Sequence, residues 1–252
     1  MKFDEFDIKM RVYEQSLDQI VLPDLYLAVR LDGRTFTKLT KEVCQFEAPF
    51  DVRFRDLMVK TVLHLMDCGF RVVYGFTESD EISLLFHPED RTFGRKVRKI
   101  NSTLAGEASA AFSLALGRIA VFDCRVIPLP NRERVRDDFV WRQEDAHRNA
   151  LNAWCYWTLR KEGNSKLKAT EYLQGRTTAF KNELLFERGI NFNDLPGWQK
   201  RGIGVYFREE QKVGYNPIMQ EQVEAKRRKL YVEYELKVKE EYGKWVEGFL
   251  DD

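Results

Sequence analysis

The chain has 252 residues, of which 44% are hydrophobic and 32% are charged. This length and composition are typical of one large globular domain, or of a domain with an appended helical part. Its 41 basic and 40 acidic side chains give a net charge of +1. No overall electric field therefore attracts nucleic acid, and any such binding has to come from local charged patches.

The cysteines and the apolar segments indicate where the protein works. Its four cysteines are scattered without a Cys-x-x-Cys pair, which argues against a zinc site or a disulfide framework and suits a reducing cytoplasm. Residues 1–20 contain no apolar leader, and no long uncharged apolar run follows them. We therefore expect a cytoplasmic protein that is neither secreted nor bound to a membrane.

Hydrophobic periodicity divides the first half of the chain into alternating helices and strands. The predicted elements are a helix over 3–20, a strand over 25–31, a helix over 51–66, a hairpin over 70–86, a helix over 92–116 and a strand over 119–126 that Pro128 and Pro130 end. From the first strand onward this order is βαββαβ, the ferredoxin-like plan. Polymerase palms, nucleotide cyclases and RNA-recognition modules share that plan, so it does not decide the function.

The second half is predicted to be mainly helical. Its expected elements are helices over 139–160, 166–174 and 177–188, a loop over 191–197, a short strand over 203–207 and a long charged helix over 218–249. We therefore expect an α+β protein. A ferredoxin-like, polymerase-palm core with an N-terminal helix would occupy 1–135, and a helical C-terminal extension with a short strand would occupy 136–252 of the same globular unit.

Two short acidic stretches each follow an apolar, strand-like run. Asp32, followed by Gly33, comes directly after the first run, and Asp80 lies between Glu78 and Glu81 at the tip of the predicted hairpin. Carboxylates at two neighbouring strand ends would form an oxygen-rich pocket of the kind that Mg²⁺ prefers. This favours a metal-dependent nucleotidyl-transfer site, in which the glycine lets the backbone approach an ion or phosphate. The alternative is that both stretches are solvated turns.

Cations are concentrated at the start of the helix predicted over 92–116, where Arg95, Lys96, Arg98 and Lys99 follow one another closely. Basic residues there oppose the helix macrodipole, which favours anions at that end. Either the helix start and its cations bind a phosphate together, or this is a solvated basic face. Lys96 and Lys99, three residues apart, would lie on the same side.

Several motifs, taken in order, resemble those of the tRNA-His guanylyltransferases and their relatives, the 3′–5′ polymerase-like proteins. The first stretch, Arg30-Leu31-Asp32-Gly33-Arg34-Thr35-Phe36, is similar to the R-x-D-G-R-x-F signature of that family. The second, Tyr74-Gly75 followed by Ser79-Asp80-Glu81-x-Ser83, resembles its Y-G-x-S-D-E-x-S motif with a longer gap. Further matches are Met10-Arg11-x-Tyr13-Glu14, Trp141-Arg142-Gln143-x-Asp145-x-His147, Gly175, Lys181-Asn182-Glu183 and Asn191-Phe192-Asn193.

The resemblance implies an enzyme with a palm-like core that extends RNA at its 5′ end. It implies that Asp32 and Asp80 hold two Mg²⁺ ions, with the Gly33 carbonyl as a further ligand, and it leaves open whether Glu81 contacts metal. The nucleotide contacts it implies are backbone groups of Arg34, Thr35, Phe36 and Thr37, the Ser79 residue, and the triphosphate-binding Lys96 and Lys99. The residues it associates with the tRNA 5′ end are His147, Lys181 and Asp51, although Asp51 also reads as an N-cap.

Two departures from the family pattern bear on the substrate. His147 is followed by Arg148-Asn149-Ala150 where dedicated tRNA-His enzymes have I-N-N, and Ala48 stands where a lysine is expected before Pro49. Both favour the polymerase-like branch, which repairs 5′-truncated tRNA by template-dependent addition after ATP or GTP activates the 5′ phosphate. The expected partners are tRNA, ATP, GTP and other nucleoside triphosphates, and three further copies of the chain in a homotetramer.

Besides a degenerate relative that has lost its activity, three alternatives stay open at this point. The first is guanosine addition to tRNA-His only. The second is a palm-type nucleotide cyclase, which would leave the large extension beyond Asn131 without a role. The third is an RNA-recognition module without catalysis, which would need exposed aromatic side chains on its central strands to stack bases.

Overall fold

The computed structural model describes residues 2–216 and 221–251. The helices and strands are, in chain order, α1 (Phe3–Gln15), β1 (Tyr26–Gly33), α2 (Phe36–Lys38), α3 (Val52–Leu65), β2 (Val72–Glu78), β3 (Glu81–Phe86), α4 (Val97–Leu116), β4 (Phe122–Leu129), α5 (Arg132–Lys161), α6 (Lys166–Leu173), α7 (Thr178–Phe186), α8 (Gly197–Arg201), β5 (Ile203–Asn216), β6 (Glu221–Glu233) and α9 (Lys239–Gly248). A π-helical turn follows α2 over Leu39–Val43, and short 3-10 turns occur over Thr92–Arg95 and Phe192–Asp194.

The strands form one antiparallel sheet in the order β4-β1-β3-β2-β5-β6, so the fold is mixed α+β. Side chains alternate between the two faces of a strand. On β1, Leu27, Val29 and Leu31 join the core formed with α3 and α4, whereas Ala28 joins the core formed with α5 and α9. Both faces of the central strands are therefore covered, which explains their almost continuous apolar sequence.

Helix α5 connects the sheet to the rest of the helices. Its 30 residues span about 45 Å at 1.5 Å per residue. In its first half, Val135 and Phe139 pack on the sheet beside α9. In its second half, Leu151 and Cys155 pack with α6 and α7 in a separate hydrophobic cluster. One helix thus places the helical extension beside the end of the sheet.

The prediction of one long helix over 218–249 is wrong. Most of that range forms β6, which pairs with β5, and only α9 is helical; residues 218–220 lie outside the described residues. The prediction followed the strong intrinsic helix propensity of Glu, Ala, Lys and Arg. In the sheet, however, the basic run of β6 lies opposite acidic residues of β5, with Arg228 facing Glu209, and such cross-strand pairs stabilise a hairpin. For the same reason, β5 extends well beyond the predicted strand over 203–207.

The strand predicted over 119–126 also has different ends. It begins at Phe122 and runs through Pro128 to Leu129, whereas Pro128 was expected to end it. The strand lies at the edge of the sheet, and an edge strand tolerates a residue that lacks an N–H group. Position in the sheet, which the local sequence does not encode, therefore decides how far this strand extends.

The remaining predicted helices are confirmed with shifted ends. The helix predicted over 139–160 begins at Arg132, because the Asn131 side chain caps it by accepting a hydrogen bond from the Arg134 amide at 2.9 Å. The first helix ends at Gln15 rather than at residue 20. Among the residues that the structure describes, no helix is both long and apolar enough to cross a membrane.

Candidate functional site

Asp32 and Asp80 lie beside each other at one end of the sheet. Asp32 is near the end of β1, opposite Glu81 on β3, and Asp80 lies in the tight turn between β2 and β3. The Gly33 amide donates a hydrogen bond to the Asp80 carbonyl oxygen at 3.0 Å. This bond fixes the turn to the end of β1, so the structure brings together the two carboxylates that the sequence singled out.

Gly33 is required by its contact with an aromatic ring. A Cβ atom at this position would lie 2.5 Å from Cγ of Phe36. The Phe36 ring is almost completely buried and packs on Phe112 and Phe122, with ring centroids 5.1 Å and 4.9 Å away. Because that ring cannot move aside, only glycine fits at the end of β1. The approach of its carbonyl to an ion stays a prediction.

The segment after Gly33 provides unpaired backbone amides. Thr35 has a positive φ of 61°, which turns the chain sharply into α2. For the amides of Thr35, Phe36 and Thr37 no hydrogen-bond acceptor is found within residues 2–216 and 221–251. The Arg34 amide, by contrast, donates to the Val121 carbonyl oxygen at 2.8 Å. The Arg34 amide is thus already paired, whereas the next three amides are available; the nucleotide contacts predicted for the backbone of this segment stay predictions.

A cavity of about 730 Å³ opens beside the turn that carries Asp80. This volume lies within the range of small-molecule sites, which is about 300–1,000 Å³. Aromatic rings form much of its wall, and polar side chains lie at the turn and around α2. The lining residues that matter here are Phe36, Thr37, Lys41, Phe46, Phe50, Asp51, Phe54, Glu78, Ser79, Asp80, Tyr156, Trp157 and Trp198.

Asp51 lines this cavity and also caps α3. Its carboxylate accepts hydrogen bonds from the amides of Arg53 at 2.8 Å and Glu47 at 2.7 Å, and it pairs with the Arg53 guanidinium at 2.6 Å. That guanidinium holds the pKa of the Asp51 carboxyl well below its usual range. The N-cap prediction is confirmed, while contact of Asp51 with a tRNA 5′ end stays a prediction.

Lys96 and Lys99 lie at the other end of the sheet from the carboxylates. Arg95, the residue before Lys96, donates a hydrogen bond to the carbonyl oxygen of Leu25 at 2.6 Å. Leu25 is the residue before β1. Asp32 is at the opposite end of that strand, roughly 20 Å away at about 3.3 Å per residue. Lys96 instead pairs with Asp18 at 2.8 Å. These lysines therefore do not reach the Asp32 end of the sheet within one chain, and their contact with a triphosphate stays a prediction.

His147 and Lys181 belong to the helical extension, and neither lines the cavity. His147 is on α5, where its ring packs on Phe192 with the centroids 5.3 Å apart. Burial lowers the pKa of His147, and its Nδ1 atom has no hydrogen-bond partner within the described ranges. The Lys181 carbonyl oxygen accepts a hydrogen bond from the Cys155 thiol at 3.3 Å. The roles predicted for both side chains at the tRNA 5′ end stay predictions.

Negative charge is concentrated around the turn, and its burial changes the acidity of the carboxyl groups. Burial raises the pKa of Asp80, and the charge on Asp32 adds to this rise against the hydrogen bond from Ser79. Burial and the charge of Glu81 also raise the pKa of Glu78, from 4.5 to about 8. The Arg142 guanidinium, 3.4 Å from the Glu78 carboxyl group, opposes this rise in pKa without cancelling it. These carboxylates therefore repel one another and attract cations or protons.

The raised pKa of Glu78 predicts a pH dependence of stability. Between about pH 4.5 and about pH 8 the Glu78 carboxyl group is protonated in the folded protein and ionised in the unfolded chain. The free energy of unfolding therefore falls as pH rises through this range, and the contribution of Glu78 is constant above it. In Glu78→Gln this loss is absent. We expect the variant to gain stability over the parent protein between pH 5 and pH 8.5, measured by urea unfolding in the presence of a chelator. Parallel pH profiles of the two proteins would contradict the raised pKa.

Sequence reasoning missed the cations of the cavity wall, which are Lys41, Arg55 and Lys166. Lys41 lies on the π-helical turn, its Nζ atom is 5.3 Å from the centre of the Trp157 ring, and burial lowers its pKa. No carboxylate pairs with it in the part of the chain that the structure describes. The lysine stands in an ordinary polar run, so no sequence signal distinguished it. Tertiary folding alone brings it to the cavity wall.

Comparison with known proteins gives consistent matches over nearly the whole chain. A family model described as "tRNAHis guanylyltransferase" matches residues 7–130, and one described as "Thg1 C terminal domain" matches residues 133–243. The tRNA(His) guanylyltransferase of Debaryomyces hansenii is 32% identical over 234 residues, which cover 86% of this chain and 87% of that protein. The Schizosaccharomyces pombe enzyme of the same name is 33% identical over 210 residues, covering 79% of each chain.

Similarity extends to solved structures. A bacterial tRNA(His) guanylyltransferase (Thg1)-like protein in complex with ATP is 25% identical and matches with a TM-score of 0.75. The match covers 97% of this chain and 99% of that one. It therefore includes the sheet, the turn with Asp80 and the helical extension.

Proposed function

Because the chain belongs to the tRNAHis guanylyltransferase family and is therefore a nucleotidyltransferase, we propose that it adds nucleotides in the 3′–5′ direction to the 5′ end of tRNA. In this proposal ATP or GTP first activates the 5′ phosphate, and the 3′-hydroxyl of an incoming nucleotide then attacks the activated end. The observation that carries it is the adjacency of Asp32 and Asp80, tied together by the bond from the Gly33 amide, beside a cavity large enough for a nucleotide.

We expect Asp32 and Asp80 to hold two Mg²⁺ ions, with the Gly33 carbonyl as a further ligand. The donors fit this ion, because all are hard oxygen atoms. Among the described residues no three His, Cys, Asp or Glu side chains form a group that could hold a metal by themselves. Such a sparse protein site suits Mg²⁺, which completes its shell with water and substrate phosphates. Bound Mg²⁺ supplies charge neutralisation and polarisation of phosphoryl oxygens.

The other residues of the site bind and orient the substrates. The free amides of Thr35, Phe36 and Thr37 are suited to donate hydrogen bonds to phosphate oxygens, and Ser79 lines the same cavity as Phe36 and Thr37. The aromatic wall is suited to a nucleobase, whose flat face stacks on such rings. Phosphoryl transfer depends on positioning and charge neutralisation more than on a covalent intermediate. The absence of a nucleophile–base pair from the motifs agrees with that chemistry.

We propose template-dependent repair of 5′-truncated tRNA, rather than guanosine addition to tRNA-His only, as the reaction of this chain. The support is the sequence around His147, which departs from the dedicated enzymes at Arg148 and Ala150. Ala150 is 4% exposed and packs in the hydrophobic cluster that α5 forms with α6 and α7. An asparagine there would bury an amide among apolar side chains. The departure at Ala150 therefore changes the interior of the helical extension, and the departure at Arg148 changes its surface.

We further propose that residues 1–135 form a polymerase-palm core of the ferredoxin-like plan, and that 136–252 are its extension. The order β4-β1-β3-β2 with α3 and α4 packed on one face supports that plan.

We also propose that the chain assembles into a homotetramer. None of the residues of α1 is buried, so this helix is available for contacts between subunits. Four free cysteines agree with a reducing, cytoplasmic setting.

The test uses the purified protein with Mg²⁺, ATP, all nucleoside triphosphates and a 3′-labelled, 5′-monophosphorylated tRNA that lacks its first nucleotide. We expect extension by one nucleotide that stops at the full acceptor stem. Changing the opposing nucleotide on the 3′ strand should change the nucleotide that is added. Full-length tRNA-His without its extra guanosine serves as the competing substrate.

Each alternative gives a different product. Addition of guanosine to tRNA-His alone would replace the repair proposal by the dedicated guanylyltransferase function. Pyrophosphate release from nucleotide without RNA, and no extension of either RNA, would indicate the cyclase. Binding of RNA without any product would indicate a recognition module.

A further inference from the structure

One buried cation lies among the carboxylates of the site. Arg142, on α5, is 4% exposed, and its guanidinium contacts three acidic side chains. It hydrogen-bonds to Glu81, lies 3.4 Å from Glu78, and lies 3.3 Å from Asp145 on its own helix. The guanidinium also packs on the Trp141 ring, 4.9 Å from the ring centre. A buried charge of this kind is costly unless it has partners, and here every partner is a carboxylate.

The sheet geometry explains why these groups meet. Asp32 and Glu81 are directly opposite each other on adjacent antiparallel strands, so their side chains project from the same face. This is the face that α5 covers, because Ala28 on β1 belongs to the core formed with that helix. Glu78 pairs with Glu81 across the hairpin. The turn between them carries Asp80, so Arg142 contacts the acidic residues on both sides of that turn.

We propose that Arg142 is a positioning residue for the metal-binding turn. It pairs with Glu81 and holds the Glu78 side chain beside it, so that Asp32 and Asp80 are the carboxylates that bind the ion. The inference rests on the proposed function, and it assigns Glu81 to the guanidinium rather than to the metal. It also links the helical extension to catalysis, because α5 supplies the cation that the turn in the sheet requires.

The crowding of carboxylates around the turn has a physical consequence. Four carboxyl groups lie at or beside one tight turn, and each would repel the others without a nearby cation. A planar guanidinium contacts several carboxylate oxygens at once, whereas the compact ammonium of lysine does not. Arg142 therefore holds the turn in one conformation before substrate binds. Removing it would release Glu78 and Glu81 to compete for the ion.

The main test compares Arg142→Met with the parent protein in two assays. Nucleotide addition should fall by about 10- to 100-fold, the usual effect of losing a group that orients metal ligands. In thermal unfolding with Mg²⁺ alone, the ion should raise the melting temperature of Arg142→Met more than that of the parent, because two further carboxylates become available to it. Arg142→Lys should show a smaller loss of activity and a Mg²⁺ response close to that of the parent.

A suppressor variant separates neutralisation from simple packing. In Arg142→Met combined with Glu78→Gln and Glu81→Gln, the repulsion is absent, and we expect most of the lost activity to return. Arg134→Met is the matched control, because Arg134 pairs with Asp137 from an exposed position on the same helix. It should retain the activity and the Mg²⁺ response of the parent protein.

Three results would overturn the inference: unchanged activity in Arg142→Met, a combined variant as inactive as Arg142→Met, or an equal loss in Arg134→Met. If Arg142→Met does not fold, the lysine variant and the combined variant still decide the question. Failure of the proposed function is distinguishable, because the parent protein would then show no Mg²⁺-dependent nucleotide addition at all.

Discussion

Replacing Asp80 by alanine is expected to lower nucleotide addition by about 1,000-fold while the protein stays folded. Loss of a carboxylate that holds catalytic metal removes several kcal/mol of transition-state stabilisation, and each 1.36 kcal/mol changes a rate about tenfold. The substitution should not lower the stability of the folded protein, because burial and the charge of Asp32 make the ionised Asp80 carboxylate unfavourable. Without divalent ions we therefore expect the melting temperature of Asp80→Ala to equal or exceed that of the parent protein.

The measurement is the rate of extension of 5′-truncated tRNA at saturating Mg²⁺, together with thermal unfolding in a chelator. Asp123→Asn is the matched control, since Asp123 lies directly opposite Asp32 on β4 but is exposed, with 64% of its side chain accessible. It should retain nearly all activity. Full activity in Asp80→Ala, or an equal loss in both variants, would remove the proposed metal site.

Replacing Phe36 by alanine is expected to destabilise the protein by about 3–5 kcal/mol, the usual effect of removing a buried aromatic ring. Phe36 is 2% exposed and forms an aromatic cluster with Phe54, Phe112 and Phe122. Its ring also lies against Gly33 and lines the cavity. The substitution would therefore both weaken the core and loosen the segment that follows Asp32.

Urea unfolding measures this change in stability, and Phe186→Ala provides the control. Phe186 is at the end of α7 with 67% of its surface exposed, so its loss should change stability by less than about 0.5 kcal/mol, as is usual at the surface. A destabilisation of Phe36→Ala similar to that of Phe186→Ala would show that the aromatic cluster does not support the site.

Local sequence was misleading where pairing with a distant segment decided the conformation. The run Lys226-Arg227-Arg228-Lys229 favours a helix by intrinsic propensity, yet it forms β6, because β5 presents Glu209 and Glu210 opposite it. Proline usually ends a strand, yet β4 runs through Pro128 because this strand lies at the sheet edge. Neither outcome depends on the residues nearest in sequence. Both depend on which strand lies alongside.

The sequence by itself determined the order of the first strands and helices, the N-cap at Asp51 and the two carboxylates at strand ends. These follow from periodicities of two and 3.6 residues and from local capping, which act over a few neighbouring positions. The tertiary structure alone decided that Asp32 and Asp80 meet and that Lys96 does not reach them. It alone brought Lys41 to the cavity and Arg142 to the acidic turn. Such contacts join residues far apart in the chain, and their formation depends on how the helices pack on the sheet.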